Sequence, residues 1–288
     1  YTDLGLPVLK TTESNREAAD DMTMILLKEW CDKNRPELSP LFTLVQEYRK
    51  WGKIKSTYID GYLKYINPVT GCLHPELFAL STDTGRMNSC NPNCQNMPRK
   101  ANDPIGVRNF IQAPDGCLIL SLDFSQIELR VGSFYCRDER MLETYRNGGD
   151  IHAQTTSVIF GVSYEEAQDK HSANYKEHRT IAKNVNFGTF YGLFPRGLQR
   201  TLKFKAGIEK SVSECEEILE SLKRGYKGLA TWQAETKAIA AKRMYSETWL
   251  GRRRYLPGIA SDDWAKRSFA ERCALNTPIQ GTAADILK

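Results

Sequence analysis

Four residues set four apart give the first hint of chemistry in this sequence: Arg179, Lys183, Phe187 and Tyr191, within RTIAKNVNFGTFYG (179–192). On an α-helix a step of four drifts only about 40° around the axis, so the four side chains would form one stripe. The stripe reads cation, cation, aromatic, aromatic. A core-facing stripe is ordinarily aliphatic, and a solvated face is charged throughout. Two cations one turn apart suit a polyphosphate, and two rings further along offer a flat surface to a base or sugar. The expectation is a nucleoside triphosphate site, with phosphates towards the helix start and the base towards its end. The same spacing also fits a helix with Phe187 and Tyr191 in the core and the cations at its rim.

Other stretches carry chemistry of their own. Asp123 follows the apolar, β-prone run Cys117–Leu122, which predicts a buried strand. A carboxylate projecting past a strand end can ligate a hard cation, or it can cap the next helix. Ser125 is a candidate cap for that helix. Lys50, Lys53 and Lys55 lead into Ser56, Thr57 and Tyr58, a cluster that could grip phosphates or simply form a solvated helix end. Leu77–Pro98 is broken by Gly85, Asn91-Pro92 and Pro98 and is dense in Thr, Arg, Asn and Gln. It suits either a polar groove that meets base edges or a self-satisfied turn. Arg252, Arg253 and Arg254 cluster in a hairpin-like segment, 248–257.

The elements that must position these residues are mostly helical. Apolar spacing predicts helices over 18–33, 40–51, 213–224, 229–245 and 270–288, with Asp150 capping another that carries His152 in its first turn and closes at Gly161. Gly192 and Pro195 are expected to stop the 179–192 helix, and the charged stretch 165–178 to be a solvated face. Asn67–Gly71 reads as a turn. A chain of 288 residues holds one large or two to three small domains, and a formal charge of +5 is compatible with nucleic acid without arguing for it. No run of about 18 apolar residues suggests a membrane span. The chain lacks an initiator Met or signal peptide at its start and ends in an apparent helix, so it reads as a piece of a longer polypeptide. Of eight cysteines only Cys90 and Cys94 are close, and no second pair or nearby His completes a zinc set. Scattered cysteines fit a reducing cytosol.

From about Lys53 onward these pieces resemble, in order, the family A DNA polymerases. DFSQIELR (123–130) looks like the family's motif A and 179–192 like its motif B. STDTGRMNSCNPNCQNMP (81–98), DIH (150–152), TWLGRRRYLP (248–257) and NTPIQGTAAD (276–285) match further blocks. The resemblance implies an α+β, right-hand architecture with an antiparallel palm sheet, helical fingers and part of a helical thumb. It divides the chain into partial thumb and connecting region (1–80), palm (81–136), fingers (137–270) and a truncated return to palm (271–288).

What the resemblance implies for function is template-directed addition of deoxynucleotides to a primer 3′ end, by phosphoryl transfer with two Mg²⁺ ions. Asp123 and the Phe124 carbonyl become metal ligands. Arg179, Lys183 and His152 hold the triphosphate, and Lys183 is placed to protonate the leaving pyrophosphate. Phe187 and Tyr191 flank the nascent pair. Glu128, bonded to Tyr191, fills the space a 2′-hydroxyl needs, and Gln126 joins the nucleotide contacts. Arg86 and Gln280 are expected in the minor groove of primer–template DNA, with Asn93, Gln95, Asn96, Lys55, Ser56, Thr57, Tyr58 and Arg254 as further DNA contacts. The expected partners are primer–template DNA and dNTPs, with no membrane, in the cytoplasm of a cell or of an infected cell. The family's second metal carboxylate sits in a motif beyond the Gln280 block. Asp285 belongs to that block and is not assigned the role, so this stretch is expected to hold half of the metal site. The segment between Val162 and Arg179 aligns with no family block, and no exonuclease region lies within the chain. Two alternatives remain: a single-subunit RNA polymerase relative, against which Glu128 and Phe187 argue, and a non-catalytic fragment that grips primer–template.

Overall fold

The computed structural model describes every residue except Glu13 and 99–102. The chain divides into two compact units. One comprises Tyr1–Leu77 and Asn88–Leu120; the other comprises Phe78–Met87 and Ser121–Lys288. The fold is α+β: among the described residues helices dominate, accompanied by two small two-stranded sheets.

In the first unit α1 (Asp21–Asn34) packs on α2 (Ser39–Lys53) through Met24, Leu27, Cys31 and Phe42. Asp20 starts α1 by accepting the Thr23 N–H, which satisfies one of the four amides every helix start leaves open. A π-helical turn, Ile54–Ile59, leads into α3 (Asp60–Leu63). Strand β1 (Glu76–Phe78) pairs with β2 (Asn88–Cys90), after the turn at 68–70.

The second unit is built from α4 (Ile127–Cys136), α5 (Glu139–Arg146), α6 (Ile151–Phe160), α7 (Tyr175–Thr189), α8 (Pro195–Thr201), α9 (Val212–Gly225), α10 (Lys227–Arg243) and α11 (Trp264–Leu287). Its main core joins Leu129, Ile151, Ile181, Val185, Phe190, Leu222, Leu275 and Ile279. Ser211 and Glu214 form a reciprocal capping box at the start of α9. Strands β3 (Tyr245–Glu247) and β4 (Arg253–Tyr255) form an antiparallel hairpin with Ser246 opposite Arg254. The hairpin begins three residues earlier than the sequence suggested, and 248–252 is its loop. Pro278 lies inside α11 and cannot donate to the Ala274 carbonyl. The Ser246 hydroxyl donates to that carbonyl instead, at 2.9 Å, which fastens the hairpin to the helix.

Four local expectations need correcting. Cys117–Leu122 is not a buried strand: it is irregular, and Leu118, Leu120 and Leu122 are 97%, 80% and 84% exposed. An apolar run becomes a strand only when a neighbouring strand takes its backbone groups, and none among the described residues does. Ser125 does not cap α4. The residue before the helix is Gln126, in the left-handed region at φ 55°, with no side-chain cap. Finally, the helix over 179–192 ends at Thr189, so Tyr191 lies beyond it. Leu193 folds back so that its amide donates to the Gly188 carbonyl at 3.1 Å, and a Cβ on Gly188 would sit 2.6 Å from the Leu193 side chain. Gly192 turns at φ 74°, as expected of a stop signal. Pro195 is the first residue of α8 rather than a terminator.

Candidate nucleotide and nucleic-acid site

Helix α7 carries Arg179, Lys183 and Phe187 on successive turns, and its opposite face is buried through Ile181, Ala182, Val185 and Asn186. The cations and the ring therefore belong to the outward face, which decides against a core role for Phe187, itself 52% exposed. Lys183 is exposed and makes no salt bridge to any described residue. Arg179 is held by Asp150 at 2.5 Å and lies over the Tyr175 ring.

Asp150 does two jobs from one place. Its Oδ1 accepts the amides of His152 (2.8 Å) and Ala153 at the start of α6, and its Oδ2 pairs with Arg179. Burial works against its charge, but the Arg179 bond and the helix amides prevail and hold its carboxyl below the usual range. His152, on the first turn of α6, is almost fully buried, and its ring centre is 6.1 Å from that of Phe187. Burial pushes its pKa down to about 4; Asp150 opposes this, and Arg179 and Lys183 add to it. The imidazole is therefore neutral at pH 7, so the positive charge on this face belongs to Arg179 and Lys183.

At the other end of the face, the Tyr191 hydroxyl donates to Glu128 Oε2 in a short hydrogen bond. Burial, then the Glu128 carboxylate, raise the Tyr191 pKa, so the phenol stays a donor. Arg86 lies 3.8 Å from the other Glu128 oxygen. Gln126, at the start of α4, accepts from the Tyr145 hydroxyl at 3.3 Å, and the guanidinium of Arg130 lies over that ring. Tyr191 reaches Glu128 because the preceding Phe190 is buried against α4: a Cβ on Gly132 would come within 2.7 Å of the Phe190 ring.

Gln280 is half-buried on α11. Next to it, Gly281 lets the helix lie against Thr248 and the Thr84 carbonyl. Arg252 crosses the space above Gly85, donates to the Thr84 carbonyl at 2.7 Å, and pairs with Asp285. Asp285 also accepts from Thr248 at 2.7 Å. Its carboxylate is thus shared between Thr248 and Arg252. Arg254 is not a free cation, since it pairs with Asp83 at 2.8 Å.

In the first unit, the segments holding Lys55–Tyr58 and Asn93–Asn96 come together. Tyr58 donates to the Asn96 carbonyl at 2.6 Å and Tyr62 to the Asn93 carbonyl at 3.2 Å. Tyr62, Asn93 and Asn96 line, with Ser56 and Thr57, a cleft of about 400 Å³. Gln95 is exposed beside it, while Lys55 is paired with Asp60. Sequence reasoning did not find Tyr62, Tyr65, Asp150 as the Arg179 partner, or Asn186. Only the cap at Asp150 had a local signal.

Asp123 and Phe124 are exposed and lie in irregular backbone. No group of three His, Cys, Asp or Glu side chains among the described residues could hold a metal ion. Asp123 offers the hard oxygen that a divalent cation takes, but alone it falls short of a ligand set. No described helix is long and apolar enough to cross a membrane, and all eight cysteines are free.

The chain is 35% identical over 288 residues to DNA polymerase I of Pseudomonas aeruginosa, 37% over 292 to that of Geobacillus stearothermophilus, and 38% over 291 to the thermostable DNA polymerase I of Thermus filiformis. Each match covers 100% of this chain and 29%, 30% and 32% of the relative, so the chain spans about a third of the length of these relatives. Among solved structures it is similar to the POL domain of Pol1 from M. smegmatis in complex with DNA primer-template and dNTP. There the TM-score is 0.83 at 30% identity, with 100% of this chain and 47% of that one covered. This likeness carries the α+β, right-hand polymerase architecture. The family model for DNA polymerase family A matches residues 1–288, and the chain belongs to that family.

Proposed function

We propose that this chain is the nucleotide-selecting part of a DNA-directed DNA polymerase, which adds deoxynucleotides to a primer 3′ end on a template. One observation carries the reading: the outward face of α7 presents Arg179, Lys183 and Phe187 in sequence, with neutral His152 beside it and the Tyr191–Glu128 pair at its end. Arg179 and Lys183 supply charge to a triphosphate, and His152 supplies a neutral hydrogen bond. Phe187 and Tyr191 take the base pair. Lys183, with no salt bridge to a described residue, is free to give a proton to departing pyrophosphate. Glu128 and Tyr191, bonded to each other, form a fixed wall where a 2′-hydroxyl would lie. Gln126 borders the sugar from the start of α4.

Arg86 and Gln280 are assigned to the minor groove, whose acceptors are nearly the same for every pair and so permit a test of geometry without sequence preference. Asn93, Gln95, Asn96, Ser56, Thr57 and Tyr58 are assigned to the nucleic-acid backbone. Lys55 and Arg254 would have to exchange Asp60 and Asp83 for phosphate. The division into thumb (1–80), palm (81–136, 271–288) and fingers (137–270) belongs to the same proposal, as do the partners, primer–template DNA and dNTPs.

Family A polymerases use divalent metal ions. The ions, two Mg²⁺ in this proposal, lower the charge barrier to phosphoryl transfer. Asp123 and the Phe124 carbonyl would be two of the oxygen ligands, and they do not complete a set by themselves.

The test is primer extension with dNTPs and Mg²⁺ by this chain and by a longer version carrying its native downstream residues, each beside Asp123→Ala. Extension that vanishes in Asp123→Ala supports the reading, and extension that persists there refutes it. If neither version extends but both hold duplex, the chain is a primer–template gripping module. The incomplete ligand set is the observation on that side.

A further inference from the structure

A buried run of hydrogen bonds leads from the interior to His152. The Tyr226 hydroxyl lies 3.0 Å from Thr155 Oγ1, Thr155 Oγ1 lies 2.9 Å from Asn186 Oδ1, and Asn186 Nδ2 lies 2.9 Å from His152 Nδ1. Tyr226, Thr155 and Asn186 are all 0% exposed. They come from three places: the junction of α9 and α10, the second turn of α6, and the buried face of α7.

The run has a direction, which counting protons reveals. A hydroxyl has one proton to donate, and an amide oxygen can only accept. If Tyr226 donates to Thr155, then Thr155 donates to Asn186 Oδ1, and Asn186 Nδ2 donates to His152 Nδ1. Every hydroxyl proton then has a partner. In the reverse order His152 Nδ1–H donates to Asn186, the flipped amide donates to Thr155, and Thr155 donates to Tyr226. One buried hydroxyl proton is then left with no acceptor among the described residues: that of Tyr226 or, if Thr155 accepts from Tyr226 as well as from the amide, that of Thr155. Leaving a buried donor unmet is costly, so the first order wins. Burial also raises the Tyr226 pKa, so the phenol keeps its proton.

We propose that Thr155, fed by Tyr226, fixes the orientation of the Asn186 amide and thereby holds His152 as the Nε2–H tautomer, making all three positioning residues for one neutral N–H donor at the triphosphate site. The ring's Nε2 meets no acceptor among the described residues, so that proton is available to a ligand. The low pKa of His152 fits the same picture, because Asn186 Nδ2–H already fills the nitrogen that a second proton would need. What the N–H binds rests on the nucleotide reading above; the tautomer does not.

The two can be told apart in one set of samples: this chain with ¹⁵N-labelled histidine, as wild type, Thr155→Ser, Thr155→Val and Asn186→Asp. Two-bond ¹H–¹⁵N spectra assign the ring proton of His152. The expected result is Nε2–H in wild type and Thr155→Ser, a mixture in Thr155→Val because the amide is free to flip, and Nδ1–H in Asn186→Asp because a carboxylate must accept there. Nδ1–H in wild type, or pure Nε2–H in Thr155→Val, overturns the proposal. Wild type and Thr155→Val decide it even if the buried carboxylate of Asn186→Asp prevents folding. Inorganic tripolyphosphate binding is then measured on the same samples. Loss of the donor should weaken it roughly three- to ten-fold, as expected for one neutral hydrogen bond, with Thr155→Ser unchanged. If the tautomers shift as stated and tripolyphosphate affinity does not, the positioning chain stands and His152 is removed from the phosphate contacts.

Discussion

Gly132→Ala tests how the site is braced. Gly132 is a buried residue in the middle of α4, and a Cβ there would lie 2.7, 2.7 and 2.9 Å from three atoms of the Phe190 ring. Ordinary contact begins at 3.4 Å, so α4 and the ring must part by about 0.7 Å. The ring has little room to yield, being 1% exposed and set edge-on to Trp232. Overpacking of a tight core costs about 1–3 kcal/mol, and the upper end applies to a ring held this firmly. Replacing a helical Gly by Ala returns up to about 1 kcal/mol. The net is a loss of about 2 kcal/mol, or about 4–8 °C in the melting temperature of a unit this size. Because Phe190 precedes Tyr191, the shift also pulls Tyr191 from Glu128, and discrimination between dNTP and rNTP should weaken with it. Calorimetry on Gly132→Ala, Phe190→Leu and the double variant gives a cycle whose coupling should exceed about 1 kcal/mol, since Leu vacates the space the new methyl needs. A Gly132→Ala variant as stable as wild type, or a cycle additive within about 0.5 kcal/mol, refutes the brace.

Other expectations concern single side chains. Lys183→Ala should lower the rate of nucleotide incorporation at least about 100-fold, the usual scale for a general acid, while duplex affinity measured by anisotropy stays nearly the same; unchanged turnover would count against the assignment. Glu128→Ala should raise ribonucleotide incorporation relative to deoxynucleotide, read by primer extension with each, and a flat ratio would place the sugar wall elsewhere. Stability should fall with acid in a defined window. His152 has a folded pKa of about 4, below the roughly 6.5 of an unfolded His, so the unfolded chain takes up the proton first. Its contribution is complete above about pH 6.5 and declines towards pH 4, with a slope of at most about 1.4 kcal/mol per pH unit. His178, stacked on Phe160 and also held down by burial, acts in the same direction. The gap between urea midpoints at pH 7 and pH 5 should therefore narrow, without closing, in His152→Gln; an equal gap in variant and wild type would refute the shift.

The sequence was most legible where the cause is local. Apolar spacing placed α1, α2, α9 and α10 to within a few residues, and the cap at Asp150 placed the start of α6, because such causes act within a turn or two; α11 begins at Trp264, six residues before the expected start. The contact expected between Glu128 and Tyr191 is present, although the helix spacing that first grouped Tyr191 with Arg179 does not extend to it. What failed depends on partners far along the chain. Strand formation at 117–122 needs a neighbour that no window of sequence supplies. Pairing of Arg254 with Asp83 spans the length of the second unit, so a basic cluster looked freer than it is. The run from Tyr226 to His152 joins residues 71, 31 and 34 apart at its three links, through ordinary core positions with no signature of their own.

The uncovered stretch at 118–122 bears on how this protein behaves at high concentration. Leu118, Ile119, Leu120 and Leu122 are 62–97% exposed, and among the described residues their backbone groups make no hydrogen bonds. A short β-prone run of this kind is an open template for another copy of itself, and edge-to-edge growth is the usual outcome. Only Asp115 and Asp123 flank it as charged gatekeepers. Solubility should therefore be limited by this segment rather than by the charged helices, and Leu120→Lys should raise it while leaving the face of α7 untouched.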